Sequence, residues 1–365
     1  MRVLMISKAC IVGIYQRKLE CIAQEGVELL TLVPPSWKDE RGEMHLERAY
    51  TDGYQLEVIP IHRNGDFHTH YYSQLGTWMK KFRPQVVHID EEPYNLSAWQ
   101  MMFHARRVGA KTVGFSWQNI LRHYPPPFAW GEKYMLRHLD ALIAGSESAQ
   151  TVWREKGYQK EMAVIPQFGI DPVLFQPKTR PDQPFTIGYF GRFVPEKGID
   201  VLMDATFALE GDWRLRLLGS GPELTSLKAK AESSGFADRI EILDAVPSTE
   251  MPNQYHEIDV LVLPSFTKPN WKEQFGRVLV EAMSSGVPVI GSDSGAIPDV
   301  IGEGGIIFPE GDTNALTHAL TSLRADGVSY QNQQTRGRAW VLQHFTHQQI
   351  ASATVAIYQK LNPSA

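Results

Sequence analysis

The chain has 365 residues, of which 43% are apolar and 21% are charged, close to the averages for globular proteins. This length favours two domains of roughly 150–200 residues each. The formal net charge of −5 gives no broad electrostatic reason to bind nucleic acid.

The cysteine content and the hydropathy of the chain indicate the cellular compartment in which it is expected. Cys10 and Cys21 cannot form a disulfide framework for a chain of this size, and they lack the paired spacing of a zinc site. We therefore expect a reduced, cytoplasmic environment. No apolar stretch approaches the ~20 residues that are needed to span a bilayer.

In the first half, short apolar runs alternate with helical patterns, which is typical of parallel sheets with crossover helices. The predicted strands are Val3–Ile6, Glu28–Val33, Gln85–Ile89, Lys111–Phe115, Ala141–Ala144 and Ala163–Ile165. The predicted helices are Gln16–Ala23, Tyr72–Lys81, Ala98–Arg107, Tyr134–Leu139 and Ser148–Lys156. The Pro- and Gly-rich segment Pro166–Arg180 is predicted to be a linker.

The same alternation restarts after the linker. The predicted strands are Thr186–Phe190, Arg214–Leu218, Ile240–Leu243, Val260–Leu263, Val287–Gly291 and Ile306–Phe308. The predicted helices are Gly198–Leu209, Glu223–Ser233, Gln274–Ser285 and Thr313–Leu323, with a terminal amphipathic helix at Phe345–Leu361. The fold class is therefore α/β, with a domain at 1–170 and another at 171–344, and ligands are expected at the carboxyl ends of the strands.

The most informative motif contains Glu273 and Glu281, eight positions apart. On one helix these side chains would lie nearly on one face, roughly 12 Å apart along the axis. That spacing suits the two ends of an extended ligand and is too wide for a retaining hydrolase pair, which needs about 5 Å. Gly276, in the expected first turn, would expose N–H donors that favour an anion. The alternative is that Glu281 is only a solvated helix residue.

A second motif follows the strand that ends at Phe190. The chain turns on Gly191, and Arg192 and Lys197 enter the next loop. Two cations at the carboxyl end of a strand can neutralise a diphosphate, and Arg adds a planar fork. The alternative is a pair of solvated loop cations.

Three further positions follow other strands of the second half. Gly219 lies in a Gly-rich turn, Ser294 follows the strand after the glutamate motif, and Val246 follows a third strand. Each is either a ligand contact or an ordinary part of a turn.

The segment Glu273-Gln274-Phe275-Gly276-Arg277-Val-Leu-Val-Glu281 resembles the Glu-x7-Glu motif of family 4 retaining glycosyltransferases. The resemblance implies that Glu273 contacts the transferred sugar, that Glu281 holds the nucleotide ribose and that residues 274–277 line the donor site. It also implies that Arg192 and Lys197 bind the diphosphate, beside Gly191, Gly219 and Ser294, and that Val246 packs on the base. Gln274 stands where the family commonly has glycine.

The same resemblance implies the GT-B fold, with two Rossmann-like domains whose parallel sheets face a deep interdomain cleft. It also implies that the terminal helix, 345–361, packs back on the N-terminal domain. The sequence contains no Asp-x-Asp, the metal-binding motif of the other large glycosyltransferase fold. We therefore expect no cofactor and no metal.

The N-terminal domain is expected to hold the acceptor. The turn after the first strand contains Gly13 and Arg17, which are either acceptor-side or structural residues. The family often carries a histidine where this sequence has Ser116, Trp117 and Gln118, and His123 follows. His88 is interpreted as a core residue, whereas the run 90–92 faces either the acceptor or solvent.

The expected activity is transfer of a sugar from a nucleoside-diphosphate sugar to a glycan, a lipid-linked saccharide or a small molecule, with retention of anomeric configuration. The alternatives are a sugar-nucleotide 2-epimerase on the same fold and a non-catalytic sugar-nucleotide or glycan-binding protein. The expected location is the cytoplasm, with peripheral association at the inner membrane face, where the basic clusters 80–83 and 106–107 would contact anionic lipid. The alternative is that these clusters form a solvated face.

Overall fold

A computed structural model describes residues 1–39, 42–178, 183–248 and 250–363. They form two compact units. The first contains Met1–Gly169 and His347–Ala365, and the second contains Ile170–Thr346.

The first unit is a parallel sheet with helices on both faces and two short hairpins. Its strands are β1 (Arg2–Ile6), β2 (Glu28–Val33), β3 (Ser36–Asp39), β4 (Gly42–His45), β5 (Gln55–Val58), β6 (Ile61–His62), β7 (Tyr71–Tyr72), β8 (Val86–Ile89), β9 (Lys111–Ser116), β10 (Ala141–Ala144) and β11 (Glu161–Val164). Its helices before the second unit are α1 (Arg17–Gln24), α2 (Leu75–Phe82), α3 (Leu96–Arg107), α4 (Phe128–His138) and α5 (Glu147–Glu155). The order in the main sheet is β11-β10-β9-β8-β1-β2-β5.

The second unit is also built on a parallel sheet. Its strands are β12 (Phe185–Arg192), β13 (Trp213–Ser220), β14 (Ile240–Leu243), β15 (Val260–Leu263), β16 (Val289–Ser292) and β17 (Ile306–Phe308). Its helices are α6 (Ile199–Phe207), α7 (Leu224–Ser233), α8 (Met251–Tyr255), α9 (Arg277–Ser284), α10 (Ile297–Ile301), α11 (Thr313–Ala325) and α12 (Gly327–His344). The sheet order is β14-β13-β12-β15-β16-β17.

The predicted strands are all present, with ends that differ by at most two residues. They are recognisable because a strand that is covered on both faces must be continuously apolar. The residues of β15, for example, are all buried. The edge strand β5 was not predicted, because only Leu56 of its four residues is buried and the strand has no continuous apolar run.

Helices α8, α10 and α12 were also absent from the prediction. The first two are single five-residue turns that packing stabilises. Helix α12 is rich in polar residues and has only a weak apolar stripe. Its start is fixed by the Asp326 side chain, which accepts hydrogen bonds from the N–H groups of Val328 and Ser329.

The segment predicted as a linker is packed for most of its described length. Phe168 stacks on Tyr15, with ring centroids 3.7 Å apart, in the first unit. Ile170 and Phe175 are buried in the core of the second unit. Residues 179 and 180 of the predicted linker lie outside the described residues.

The terminal helix α13 (His347–Leu361) belongs to the first unit and packs against α1. It begins two residues later than predicted, because Phe345 and Thr346 follow α12 in the second unit. The Tyr358 hydroxyl lies 2.6 Å from Nδ1 of His88. Burial lowers the pKa of His88 to about 4, so the ring is neutral and the core interpretation is confirmed.

No helix in the described part of the chain is both long enough and apolar enough to cross a membrane.

Helices α3 and α4 interlock through Gly131 and Trp99. A Cβ at Gly131 would lie 1.9 Å from the Trp99 ring, which is fixed by a 2.9 Å hydrogen bond from Nε1 to the carbonyl oxygen of Pro93. Overpacking of this kind costs about 1–3 kcal/mol. We expect Gly131→Ala to lower the free energy of unfolding in urea by that amount.

The matched control is Gly327→Ala. A Cβ at this position, in the first turn of α12, meets no atom within 4 Å. We expect the control to change the unfolding free energy by at most about 1 kcal/mol, in the stabilising direction. Equal effects of the two substitutions would contradict the interlock.

Candidate active site

Each parallel sheet has one position where the chain order of its strands reverses. In the second unit this position lies between β12 and β15, because the later strands are added on opposite sides of that pair. Ligands of open α/β sheets bind in the crevice beyond the carboxyl ends of such strands. The residues that follow β12 and β15 are therefore the first candidates for a binding site.

The turn after β12 carries both predicted cations. Arg192 is the last residue of the strand, and its carbonyl oxygen accepts a 2.7 Å hydrogen bond from the Tyr189 hydroxyl. Lys197 lies five residues further along and ends the 3₁₀ helix Pro195–Lys197. Gly198 then has φ +64°, and a Cβ there would lie 2.1 Å from the carbonyl oxygen of Pro264. The close approach requires glycine and holds the Lys197 loop against the end of β15.

Glu273 lies in this crevice and is 8% exposed. Its carboxylate is ion-paired with Lys197, and Oε2 accepts a 3.1 Å hydrogen bond from the Ser265 hydroxyl. Its carbonyl oxygen accepts a 3.0 Å hydrogen bond from the Ala296 N–H, so the turn after β16 fixes the Glu273 backbone. The Lys197 Nζ also lies 5.0 Å from the centroid of the Trp271 ring.

The expected helix Gln274–Ser285 was wrong at its start. Gly276 has φ +74° and caps α9, which begins at Arg277. Glu273 therefore precedes the helix, and the estimate of roughly 12 Å along one axis does not apply. The left-handed Gly276 turns the chain sharply, so the two glutamates belong to different local structures.

Glu281 lies inside α9 and is 3% exposed. Its carboxylate accepts a 2.6 Å hydrogen bond from the Tyr255 hydroxyl and pairs with Nε of Arg277 at 2.9 Å. Burial raises the pKa of Glu281, whereas Arg277 and the Tyr255 hydrogen bond oppose the rise. The interpretation of Glu281 as a solvated helix residue is wrong, because the side chain is buried and has two partners.

The remaining donor-side candidates differ in exposure. Gln274 is exposed, and Phe275 packs edge-on against Phe345 at 5.7 Å. Ser294 is fully buried, and its hydroxyl lies 3.0 Å from that of Thr267. Val246 follows β14 and packs partly on the core.

Gly191 and Gly219 are paired at the ends of β12 and β13. A Cβ on Gly219 would lie 1.8 Å from the Gly191 carbonyl oxygen. Close packing of the two strand ends therefore explains a glycine at 219 without a ligand.

The first unit reverses its strand order between β1 and β8. The Ser7 hydroxyl, after β1, donates a 2.5 Å hydrogen bond to Asp90, after β8. Lys8 is ion-paired with Glu91, which also accepts a 3.1 Å hydrogen bond from the Tyr72 hydroxyl. Although burial opposes ionisation, Lys8 and His70 lower the pKa of Glu91 to about 2. The run 90–92 is buried, so its exposure to solvent is excluded.

Glu92 joins the ends of β8 and β9. It accepts a 2.6 Å hydrogen bond from the Ser116 hydroxyl and a 2.8 Å bond from the Trp117 N–H. Burial raises the pKa of Glu92 to about 7, although these hydrogen bonds and Lys8 lower it. A buried carboxyl group therefore titrates near neutrality at a strand end.

The acceptor-side candidates fall into two groups. Ser116, Trp117 and Gln118 lie together beside Glu92, and the buried Gln118 accepts a 3.0 Å hydrogen bond from Lys156. Arg17 instead pairs with Glu20, and His123 is exposed.

Gly13 lies in a 3₁₀ helix, and its N–H donates a 2.8 Å hydrogen bond to Glu47. The turn that the sequence predicts after the first strand is therefore part of the packed structure. A Cβ on Gly13 would lie 2.9 Å from Ala49 and Glu47.

The sequence interpretation did not include Tyr255, Ser265 and Trp271. Ser265 could have been predicted as a site residue, because it follows a predicted strand. Tyr255 and Trp271 carry no sequence signal, because only the folded chain brings them to Glu281 and Lys197.

The described part of the chain contains no group of three or more His, Cys, Asp or Glu side chains that could hold a metal ion.

Glu92 has a measurable consequence for stability. Its pKa is raised from 4.5 to about 7 by folding, so its favourable contribution is present below about pH 4.5 and is lost as the pH rises through 7. Glutamine does not titrate. The unfolding free energy of Glu92→Gln relative to wild type should therefore increase between about pH 5 and pH 8, by up to about 3 kcal/mol.

Urea denaturation across this pH range tests the prediction, with Glu155→Gln, at an exposed position of the same unit, as the control. A difference between Glu92→Gln and wild type that does not vary with pH would refute it.

Sequence and structure comparisons agree with this architecture. The family described as glycosyl transferases group 1 matches residues 171–340, and a glycosyl transferase 4-like domain matches residues 15–167. The lipopolysaccharide core biosynthesis mannosyltransferase LpsB of Rhizobium meliloti is 31% identical over 252 residues, which are 63% of this chain and 68% of the relative.

A phosphatidyl-myo-inositol mannosyltransferase of Mycobacterium leprae is 27% identical over 331 residues, covering 84% of this chain and 83% of the relative. Among solved structures, Anabaena HepE in complex with UDP has a TM-score of 0.75 and 19% identity, over 99% of this chain and 100% of that one. The structural likeness confirms the expected GT-B fold with two Rossmann-like units. The chain therefore belongs to the group 1 glycosyltransferases with a family 4-like N-terminal domain, and it is a sugar-transferring enzyme.

Proposed function

We propose that this glycosyltransferase uses a nucleoside-diphosphate sugar as donor, retains the anomeric configuration and requires no metal or other cofactor. The observation that carries the proposal is the cluster of Lys197, Glu273 and Ser265 at the strand reversal of the second unit. There a cation and a carboxylate are placed together where an α/β sheet binds its ligand.

In this proposal the charged groups bind two different parts of the donor, the diphosphate and the sugar. Lys197 and Arg192 follow β12 and supply positive charge for the departing diphosphate. Glu273, fixed through both its side chain and its backbone, offers carboxylate oxygens to sugar hydroxyls. In this proposal the acceptor attacks from the leaving-group face, and a diphosphate oxygen takes its proton.

Glu281 is proposed to hold the ribose. Its carboxylate is engaged by Tyr255 and Arg277, so ribose hydroxyls must share it with, or displace, Arg277. Arg277 is the partner that can move, because its side chain is 41% exposed. Tyr255 is buried and keeps the carboxylate in place.

The acceptor class is a glycan, a lipid-linked saccharide or a small molecule, bound by the first unit. Relatives named for lipopolysaccharide core and phosphatidyl-inositol mannosylation support a role in the synthesis of polysaccharides or glycolipids. The solved UDP complex of HepE makes UDP the first nucleotide to test. The proposed location is the cytoplasm, with peripheral association at the inner membrane face.

The two glutamates should have separable effects. Glu281→Ala removes a carboxylate that is proposed to bind two ribose hydroxyls, and it should weaken UDP binding by about 1.5–3 kcal/mol in calorimetry. Glu273→Ala should largely spare UDP affinity and should reduce turnover and sugar discrimination.

Glu257→Ala, at an exposed position of the same unit, is the control. Unchanged UDP affinity in Glu281→Ala would remove the ribose assignment. Equal loss of affinity in both glutamate variants would show that their roles are not divided as proposed.

Turnover should depend on the two cations and not on a divalent ion. Arg192→Ala and Lys197→Ala should each lower turnover by about 10²–10³-fold, the scale for loss of one transition-state donor. Lys197→Arg should recover only part of it, because a planar fork does not reproduce a compact ammonium. Because Lys197 and Glu273 are paired, the loss of turnover in the double variant Lys197→Ala/Glu273→Ala should differ from the sum of the losses in the two single variants, when each is expressed as a free energy.

The assay is sugar transfer in excess chelator, with Lys228→Ala, an exposed lysine of the second unit, as the control. Activity that the chelator abolishes and added magnesium or manganese restores would refute the metal-free proposal. Normal turnover in the two alanine variants would refute the role of the cations.

A further inference from the structure

Between β15 and Glu273 the chain folds into a small hairpin. The N–H of Lys268 donates a 2.8 Å hydrogen bond to the carbonyl oxygen of Trp271, and the Trp271 N–H donates a 3.2 Å bond back to that of Lys268. Pro269 and Asn270 form the turn between them, and both residue types favour turns. The hairpin, residues 268–271, therefore ends at Trp271, two residues before Glu273.

The segment that leads into the hairpin is fixed on its neighbours. The Phe266 N–H donates a 2.7 Å hydrogen bond to the carbonyl oxygen of Glu196, in the 3₁₀ helix that ends at Lys197. The Thr267 N–H donates a 2.6 Å bond to the carboxylate of Glu310, after β17. Backbone hydrogen bonds thus hold the start of the hairpin against the Lys197 loop.

The side chain of Lys197 has two partners of different kinds. Its ammonium is ion-paired with the Glu273 carboxylate, and Nζ also lies 5.0 Å from the centroid of the Trp271 ring. This distance is within the ~6 Å range of cation–π attraction, which is strongest for tryptophan. The ring is half-buried and the lysine side chain is 16% exposed, so water screens the contact less than it would at an open surface.

A ligand affects the two partners of Lys197 differently. The Glu273 carboxylate cancels the charge of Lys197 and also accepts hydrogen bonds, so sugar hydroxyls that bind it weaken the ion pair. The face of the Trp271 ring attracts the ammonium but has no net charge, so the positive charge stays available to a diphosphate. Lysine has a flexible four-carbon stem, which needs such a contact to keep the ammonium in one position.

We propose that Trp271 is a positioning residue for Lys197, which holds the ammonium in place for the diphosphate while Glu273 engages the sugar. This inference rests on the proposed function, in which Lys197 binds the diphosphate and Glu273 binds the sugar. Two other roles for the ring are packing within the hairpin and direct contact with the nucleotide, and both predict different results from the following measurements.

The test is calorimetry of nucleoside-diphosphate binding to the full-length chain. UDP, GDP and ADP are titrated into the wild type, and the diphosphate that binds most tightly is then used for every variant. Trp271→Leu keeps an apolar side chain but removes the π face, and it should weaken binding about 5- to 30-fold. Trp271→Phe keeps a ring and should bind within about threefold of the wild type.

A double-mutant cycle separates positioning from direct contact. In the Lys197→Ala background the ring has no ammonium to hold, so the addition of Trp271→Leu should change the affinity by less than about twofold. The matched control, Trp340→Leu, removes another half-buried tryptophan of the same unit, in α12, and should leave the affinity within about twofold of the wild type. Circular dichroism verifies that each variant is folded.

Three results would overturn the positioning role and leave the proposed function intact. One is normal affinity in Trp271→Leu while Lys197→Ala binds weakly. Another is an equal loss from Trp271→Leu with and without Lys197, which would assign the ring to direct contact with the nucleotide. The third is an equal loss in Trp271→Phe or Trp340→Leu, which would indicate a packing effect.

Two other results would contradict the proposed function, and this inference with it. One is wild-type affinity for the diphosphate in Lys197→Ala. The other is a wild-type protein that binds none of the three diphosphates.

Discussion

The ion pair of Lys197 and Glu273 connects the elements from which the donor-side candidate site is built. Lys197 is held by the loop after β12, and Glu273 is held by Ser265 after β15 and by the backbone after β16. The segments that follow these three strands are thus connected through one ion pair. This convergence is possible because parallel strands expose all their carboxyl ends at one edge of the sheet.

Polar and charged residues also contact one another in the first unit, at the point where its strand order reverses. There Lys8 pairs with Glu91, and Ser7 with Asp90, across β1 and β8. The low pKa of Glu91 and the raised pKa of Glu92 show how strongly neighbouring carboxyls can differ. Glu91 has a cation beside it, whereas Glu92 has mainly hydrogen bonds to offset its burial.

In the structure the charged donor-side residues pair with one another. Glu281 is engaged by Arg277 and Tyr255, and Glu273 by Lys197, so buried carboxylates are not left uncompensated. A ligand that binds these groups must replace existing partners. The proposed donor can do so, because its diphosphate and hydroxyls supply charges and hydrogen bonds of matching kind.

The amino-acid sequence alone determined the α/β class, the strands of both main sheets except the edge strand β5, and the glutamate motif, because these depend on short-range apolar patterns and on spacing along the chain. The sequence did not predict the start of α9, because the left-handed backbone at Gly276 leaves no trace in the pattern of apolar residues. Only the tertiary structure showed that Tyr255 fixes Glu281 and that Glu92 is buried. Such contacts join residues far apart in sequence, and burial, which sets the pKa of Glu92, is a property of the packed chain.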